Sequence, residues 1–397
     1  MDIRTAVPEL RSYVEAGREV FVDAAKRIWK NPEVAFSEFK SSALLVDLLK
    51  AGGFAVEYPY AGMATAFRAK YTRGTTGATF AIAAEYDALK GIGHACGHNL
   101  IGVASVAAAI AARTYMDKHD VNGSIVVLGT PAEEGGGGKV LMLRNSDCLS
   151  GVDAVMMTHD DGDATRGDDG TTGIRRYDAV FHGRAAHAAG SPEEGLNALD
   201  AMILLCNAVG LYRQQMPPQA LIHGIVTDGG TAANVIPDRS CGRFYIRSRD
   251  EALLDEVQRR FAKMVEGAAL MTGTTFEINE VSVPYKARKP NRKLDKLFLD
   301  AARLLDMNVS DELPEGRGSS DFGDFTQAVP GAQPYFGIRR PGEPFAPGHS
   351  ELMKEYANSD YGYEQMLNAA AALAACALKV LGDAEFRAEV RAEFERG

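Results

Sequence analysis

The chain has 397 residues, 46% of them hydrophobic and 24% charged, with a formal net charge of −10. That length supports two domains with cores of their own, and the negative balance argues against a nucleic-acid partner, which would need a basic surface. Five scattered cysteines (Cys96, Cys148, Cys206, Cys241 and Cys376) suit a reducing, cytoplasmic setting rather than a disulfide framework.

MDIRTAVPELRSYVEAG has no long apolar run and no small-residue cleavage site, so no signal peptide is expected. Residues 9–30 are predicted as one helix ending at Asn31-Pro32, and a second helix runs from about Ser41 to Ala51 and stops at Gly52-Gly53. TFAIAAEYDAL (79–89), GSIVVLGTPAEE (123–134) and DAVMMTHD (153–160) each open on an apolar run that reads as a buried strand. Between the first two lies the alanine-rich helix NLIGVASVAAAIAARTYM, the β-α-β rhythm of a mostly parallel sheet.

The pattern changes near residue 174. Strand-like, helical and strand-like segments follow in the order β-α-β-β-α-β within 174–283, which predicts a ferredoxin-like α+β domain inserted into the first. After Pro284 come a helix (291–306), the glycine-rich loop PEGRGSSDFGD, a short strand at QPYFGI, and an alanine-rich helix from about 362. The tail, 383–397, reads as a solvated helix. The most apolar stretches, 99–112 and 367–380, are too short to cross a membrane and read as packed helices, so no membrane partner is expected.

Each of the three strands in the first domain ends in unusual chemistry: Tyr86-Asp87, Glu133-Glu134 and His159-Asp160. GIGHACGHN (91–99) lies between the first strand and its helix, on the same edge. Ligands bind beyond the carboxyl ends of strands in open α/β sheets, so Asp87, Cys96, His98, Glu133, Glu134 and His159 are expected to converge. Thiolate, imidazole and carboxylate are ligands for zinc and its neighbours. Cys96 and His98 alternate, and Asn99 is placed to cap the helix that follows, with Cys96 near that N-terminus. Of the paired glutamates, one can bind metal while the other acts as general base. Any one of these residues alone would more often be structural, and Glu-Glu alone a solvated turn; the coincidence at three strand ends favours a metal centre. The glycines at 91, 93 and 97 do not have dinucleotide spacing, and Gly135 to Gly138 are read as room for close backbone.

HACGHN, TPAEEGGGG, the MTHD strand end and PGHSELMKE resemble the dinuclear metallo-amidohydrolases of the aminoacylase and carboxypeptidase family, metallopeptidase family twenty, in its cysteine-containing branch. That branch includes hydrolases of N-acyl amino acids, indole-acetyl-amino acids and p-aminobenzoyl-glutamate. The resemblance begins at NPEVAFSEFKSS and takes in FHGRAAHAAGSPEEGLNALDA, GGTAANVIPDRSCGRFYIRS and GSSDFGDFTQAVPG. It implies metal-ligand roles for Cys96, His98, Glu134, His159 and His349, Glu133 as general base, and Asp87 as the residue that orients a ligand. It also implies that His187 polarises the substrate carbonyl, from the partner subunit in dimeric members, and that Asn234 and Arg247 hold the substrate's carboxylate. Asn99 stands where many relatives have aspartate, Lys90 where many have proline, and Glu85-Tyr86-Asp87 replaces a His-x-Asp, so histidine ligation at 85 is not available.

The resemblance thus implies an α/β fold: a mostly parallel-sheet metallopeptidase domain with helices on both faces (1–173 and 284–397), plus an inserted ferredoxin-like lid and dimerisation domain (174–283). The implied activity is hydrolysis of an N-acyl or N-aroyl amino acid, a small carboxylated amide, by metal-activated water. Two divalent ions per subunit are implied, of zinc, manganese, cobalt or nickel, in a homodimer. One rival is a deaminase of a carboxylated aromatic amine on the same site. Another is a non-catalytic metal-dependent binding protein, which would have no use for Glu133 as a base. A nicotinamide oxidoreductase lacks its glycine fingerprint. His94, His119, His182 and His223 are read as structural or surface residues, Cys148, Cys206, Cys241 and Cys376 as buried small hydrophobes, and the alternating Arg243 and Arg247 as facing solvent by default.

Overall fold

The computed structural model describes residues 2–313, 316 and 318–396. Pro314, Glu315 and Arg317 of the predicted glycine-rich loop lie outside them. The chain divides into two compact units, one built from residues 1–170, 289–316 and 324–397, the other from 171–288 and 317–323.

The first unit opens with α1 (Ile3–Ala16) and α2 (Arg18–Lys30), where the apolar periodicity predicts a single helix. Gly17 separates them. A Cβ there would sit 2.5 Å from the Phe21 ring, so the junction needs glycine for close packing. After α3 (Phe39–Ala51) come β1 (Ala55–Glu57), β2 (Phe67–Arg73), β3 (Thr79–Ala84), α4 (His98–Lys118), β4 (Gly123–Gly129), α5 (Gly138–Asn145), β5 (Ala154–Met156) and β6 (His159–Asp161). The predicted strand DAVMMTHD is thus two short ones. The unit resumes with α8 (Arg292–Leu304), most of α9 (Phe322–Ala328), β11 (Gly331–Ala332), β12 (Tyr335–Gly337), α10 (Glu351–Tyr356), α11 (Asp360–Gly382) and α12 (Ala384–Arg396).

The main sheet runs β1-β2-β4-β3-β5-β11. The pairs β4–β3, β3–β5 and β5–β11 are parallel, and β1–β2 and β2–β4 antiparallel. All of β4 is buried, as is β3 beyond its first residue, which is why these strands read as continuous apolar runs rather than alternating ones. Their partner helices are rich in alanine: α4 gives Ala104, Ala107, Ala108 and Ala111 and α11 the Ala369–Ala377 stretch to one core cluster, and the two helices pack against each other. These two helices have 21 and 23 residues, longer than the apolar stretches suggested and enough to cross a membrane; 83% and 89% burial of their apolar windows makes them core helices of this fold. The tail helix α12 is not simply solvated, since Val390 is buried and accepts Asn291 Nδ2 at 2.9 Å through its carbonyl.

The second unit contains β7 (Gly173–His182), α6 (Ala198–Tyr212), β8 (Ala220–Asp228), β9 (Arg239–Ser248), α7 (Glu251–Thr272) and β10 (Thr275–Glu280). Its sheet is antiparallel throughout, in the order β10-β7-β9-β8, the ferredoxin-like arrangement. Tyr177, Phe181, Phe244 and Ile246 from the sheet pack with Met202, Leu205 and Phe261 from the helices. Asn197 caps α6 and Asp250 caps α7 through side-chain oxygens that accept backbone N–H groups. The edge strand β8 exposes Leu221, Ile225 and Val226. Cys206, expected to be buried, is exposed on α6, whereas Cys148, Cys241 and Cys376 are buried.

Candidate metal centre

The parallel register delivers the polar residues to one edge. Ala84 pairs with Gly129, and Ile82 with Met156, so the segments that follow β3, β4 and β5 leave the sheet side by side. Asp87 uses both carboxylate oxygens there. Oδ1 accepts His98 Nδ1–H at 2.9 Å and Oδ2 accepts the Glu134 N–H at 3.0 Å. The Asp87 carbonyl oxygen, which can only accept, is also 2.9 Å from Nδ1, so this nitrogen carries a proton and Nε2 is the ring nitrogen turned inward. That Nε2 is buried and has no hydrogen-bond partner among the described residues, and neither does Glu134 Oε1, 4.0 Å away.

Cys96 Sγ lies 3.6 Å from His159 Nε2. The other nitrogen of His159, Nδ1, is 2.8 Å from the Asp160 carbonyl oxygen and 3.2 Å from its Oδ1. Gly97 joins Cys96 to α4 in a left-handed conformation (φ 64°), and a Cβ at this position would fall 1.8 Å from Asp160 Oδ2. Only glycine therefore lets the cysteine loop sit over the buried Asp160. Gly97, rather than Asn99, occupies the N-cap of α4; the Asn99 side chain donates to the Ala357 carbonyl at 2.9 Å. His349 arrives from a turn after β12, with its own N–H on the Ala95 carbonyl at 3.0 Å and Nε2 3.5 Å from Glu134 Oε1.

Among the described residues of the first unit, three sets of side chains can hold a metal: Cys96, His98 and His159; Cys96, Glu134 and His349; and His98, Glu133 and Glu134. Within each set the ligand atoms lie within 4.8 Å of one another. Cys96 is common to the first two. Burial would raise the Cys96 thiol, but the His159 and His98 imidazoles pull it well below the usual thiol range, toward the thiolate that binds metal. Burial pushes the Glu134 carboxyl up to about 8, and the Cys96 charge adds to the shift. Thiol, imidazole and carboxyl groups crowded together, with His98 Nε2 and Glu134 Oε1 lacking hydrogen-bond partners, are the donor chemistry a divalent cation satisfies, so this set fits such an ion.

Glu85, two residues before Asp87, sits 3.5 Å from His98 Nε2 through Oε2, and its Oε1 pairs with Lys139 Nζ at 2.6 Å. Both residues are buried, so Lys139 neutralises a carboxylate at the rim of the centre. Sequence reasoning assigns Lys139 no role; a lysine directly after the glycine run, at the start of α5, is the only signal for it. His94 is buried in the same loop, held neutral with its pKa lowered to about 3 by burial first and then by His98.

The remaining predicted residues belong to the second unit. His187 Nδ1 accepts the N–H groups of Ala189 and Gly190 at 3.2 and 2.9 Å, which puts the ring proton on the exposed Nε2 as an outward donor. Asn234 is its neighbour, since the Ala188 N–H bonds the Asn234 carbonyl at 3.0 Å and His187 bridges to Val235. Arg247 is not brought near them. It bonds Ser319 Oγ at 2.8 Å and His223 Nε2 at 3.2 Å, eight residues along β9 from Arg239, the residue paired with His182 at the His187 end of the sheet.

Residues 75–379 match the model of peptidase family M20/M25/M40. The chain is 34% identical over 391 residues to a human Xaa-Arg dipeptidase, covering 94% of this chain and 88% of the relative. It is 33% identical over 306 residues to a p-aminobenzoyl-glutamate hydrolase of Escherichia coli K12, covering 72% of this chain and 63% of that one. Among solved structures it is similar to the Bacillus subtilis YXEP protein, described as a dinuclear metal binding peptidase from the M20 family. The TM-score is 0.64 at 18% identity, over 89% of this chain and 98% of that one.

Proposed function

This chain belongs to peptidase family M20/M25/M40 and is a hydrolase of amide bonds, and from that premise we propose that it is a two-metal amidohydrolase acting on a small amide whose amine half carries a carboxylate. The observation that carries the reading is the pair of buried, unsatisfied ligand atoms, His98 Nε2 and Glu134 Oε1, within reach of Cys96, His159 and His349. Cys96, His98, Glu134, His159 and His349 hold the ions, and Asp87 fixes His98 and the Glu134 backbone. Divalent ions in such a site supply Lewis acidity at the carbonyl and make water more acidic. Glu133 takes a proton from the attacking water. As the water oxygen bonds to the carbonyl carbon and the C–N bond breaks, Glu133 passes that proton to the leaving nitrogen, giving a carboxylic acid and an amine. His187 donates its Nε2–H to the carbonyl oxygen as charge builds there.

The substrate is an N-acyl or N-aroyl amino acid of the p-aminobenzoyl-glutamate kind, with Asn234 and Arg247 on its carboxylate. Eight residues of antiparallel strand put the two ends of β9 about 27 Å apart, too far for one small molecule to meet both His187 and Arg247 of a single chain. This separation, with the exposed apolar edge at β8, supports a homodimer in which the second unit of one copy serves its partner. The free cysteines support a reducing, cytoplasmic setting. A second reading, a dipeptide with a basic carboxyl-terminal residue, is favoured by the longer coverage of the Xaa-Arg dipeptidase relative.

Metal-loaded protein assayed by mass spectrometry against N-aroyl glutamates, N-acyl amino acids, Xaa-Arg dipeptides and arylamines separates these readings. The proposal expects both halves of an N-aroyl or N-acyl amino acid to be released. Cleavage of Xaa-Arg dipeptides alone would select the second reading, and ammonia release alone would replace amide hydrolysis with deamination. His187→Ala is expected to lower kcat about 100-fold with little change in KM, since its hydrogen bond matters mainly in the transition state. Mixing it with inactive Glu133→Gln subunits should restore activity if His187 is given across a dimer; none in verified mixed dimers would refute that sharing.

A further inference from the structure

Glu38 lies in the stretch NPEVAFSEFKSS, far in sequence from the metal centre, and is fully buried. Its Oε1 accepts two backbone N–H groups, from Phe36 at 2.9 Å and from Ala132 at 3.0 Å, and its Oε2 accepts Thr65 Oγ1–H at 2.8 Å. Phe36 and Ala132 are both non-glycine residues in the left-handed region, at φ 59° and 60°. Ala132 immediately precedes Glu133 and Glu134, and its carbonyl accepts the N–H groups of Gly136 and Gly137 at 2.9 Å each, closing the turn on which both glutamates stand. The Phe36 ring covers the same turn: a Cβ on Gly136 would lie 2.5 Å from Phe36 Cε2 and 2.6 Å from the Ala132 Cβ.

Side chains seldom adopt this backbone conformation without support, and two such residues on one carboxylate oxygen is a built arrangement. We propose that Glu38 is a positioning residue, whose buried carboxylate holds the left-handed turn at Ala132 and so aims Glu133 at substrate and Glu134 at metal. The inference rests on the roles given to those two glutamates above. Burial pushes the Glu38 carboxyl up to about 7, in keeping with a group retained against the cost of burying it.

Glu38→Ala is expected to reduce kcat about 100-fold, the scale of a small misplacement of catalytic groups, with KM changed less than about threefold and metal affinity lowered about tenfold by calorimetry. Glu38→Gln keeps an oxygen for the two N–H groups and should recover most of kcat. Adding Ala132→Gly to Glu38→Ala should restore part of the loss, because glycine holds the left-handed turn without a clamp. If Glu38→Ala does not fold, Glu38→Asp keeps the carboxyl group but shortens the reach, and should still lower kcat about tenfold in a folded protein. Wild-type kcat and metal affinity in the folded Ala or Asp variant, or no gain from Ala132→Gly, would overturn the inference. A fully active Glu133→Gln would instead defeat the catalytic reading beneath it, so the two failures are distinguishable.

Discussion

Glu133→Gln should keep its fold and its bound metal but lose roughly two to four orders of magnitude in turnover, the usual scale for removing a general acid–base group. The amide retains the size and hydrogen-bonding of the carboxylate yet cannot accept the proton of water. Its neighbour gives the contrast. Glu134 has its N–H on Asp87 Oδ2 at 3.0 Å and its Oε1 between His98 and His349, so Glu134→Gln should lose metal as well as activity. Metal analysis beside steady-state kinetics checks both. If Glu133→Gln loses metal while Glu134→Gln keeps it, the two roles are exchanged.

Cys96→Ser should have the largest effect on metal content. Cys96 belongs to two of the candidate ligand sets, and its thiol is drawn toward thiolate by His159 and His98 against the effect of burial. A serine hydroxyl of nearly the same size stays protonated and is a poor ligand for zinc-like ions. The variant is expected to lose at least one metal equivalent per chain, with hydrolysis falling in step. Elemental analysis after dialysis makes the measurement, and full occupancy with normal turnover would remove Cys96 from the centre.

Much of this centre is legible in the sequence because a parallel sheet turns short apolar runs into a common edge. β3, β4 and β5 are buried on both faces, so their sequences stop abruptly where the polar residues begin, at Asp87, Glu133 and His159. His349 has no such marker. It comes from a turn remote in sequence and is tied to the cysteine loop by a backbone bond to Ala95, so only the family resemblance identifies it. Glu38 and Lys139 escape sequence reasoning for a related reason: each acts through a long-range contact, with Ala132 and Glu85 respectively, that local periodicity does not encode. Asn99 looks like a helix cap by residue type, but the left-handed Gly97 caps α4 two residues earlier and leaves Asn99 inside the helix. The helix break at Gly17 is hidden because α1 and α2 bury the same kinds of apolar residues on either side of it. That Arg247 and His187 lie toward opposite ends of the sheet is set by the register of β7 on β9, which local pattern does not encode.

The most direct measurement is a metal titration of chelator-treated protein, following amine release from an N-aroyl or N-acyl amino acid. The account predicts negligible hydrolysis without metal and a rise that reaches its plateau at two equivalents of divalent ion per chain. Chelated, metal-free protein that hydrolyses the amide as fast as the loaded protein would contradict it.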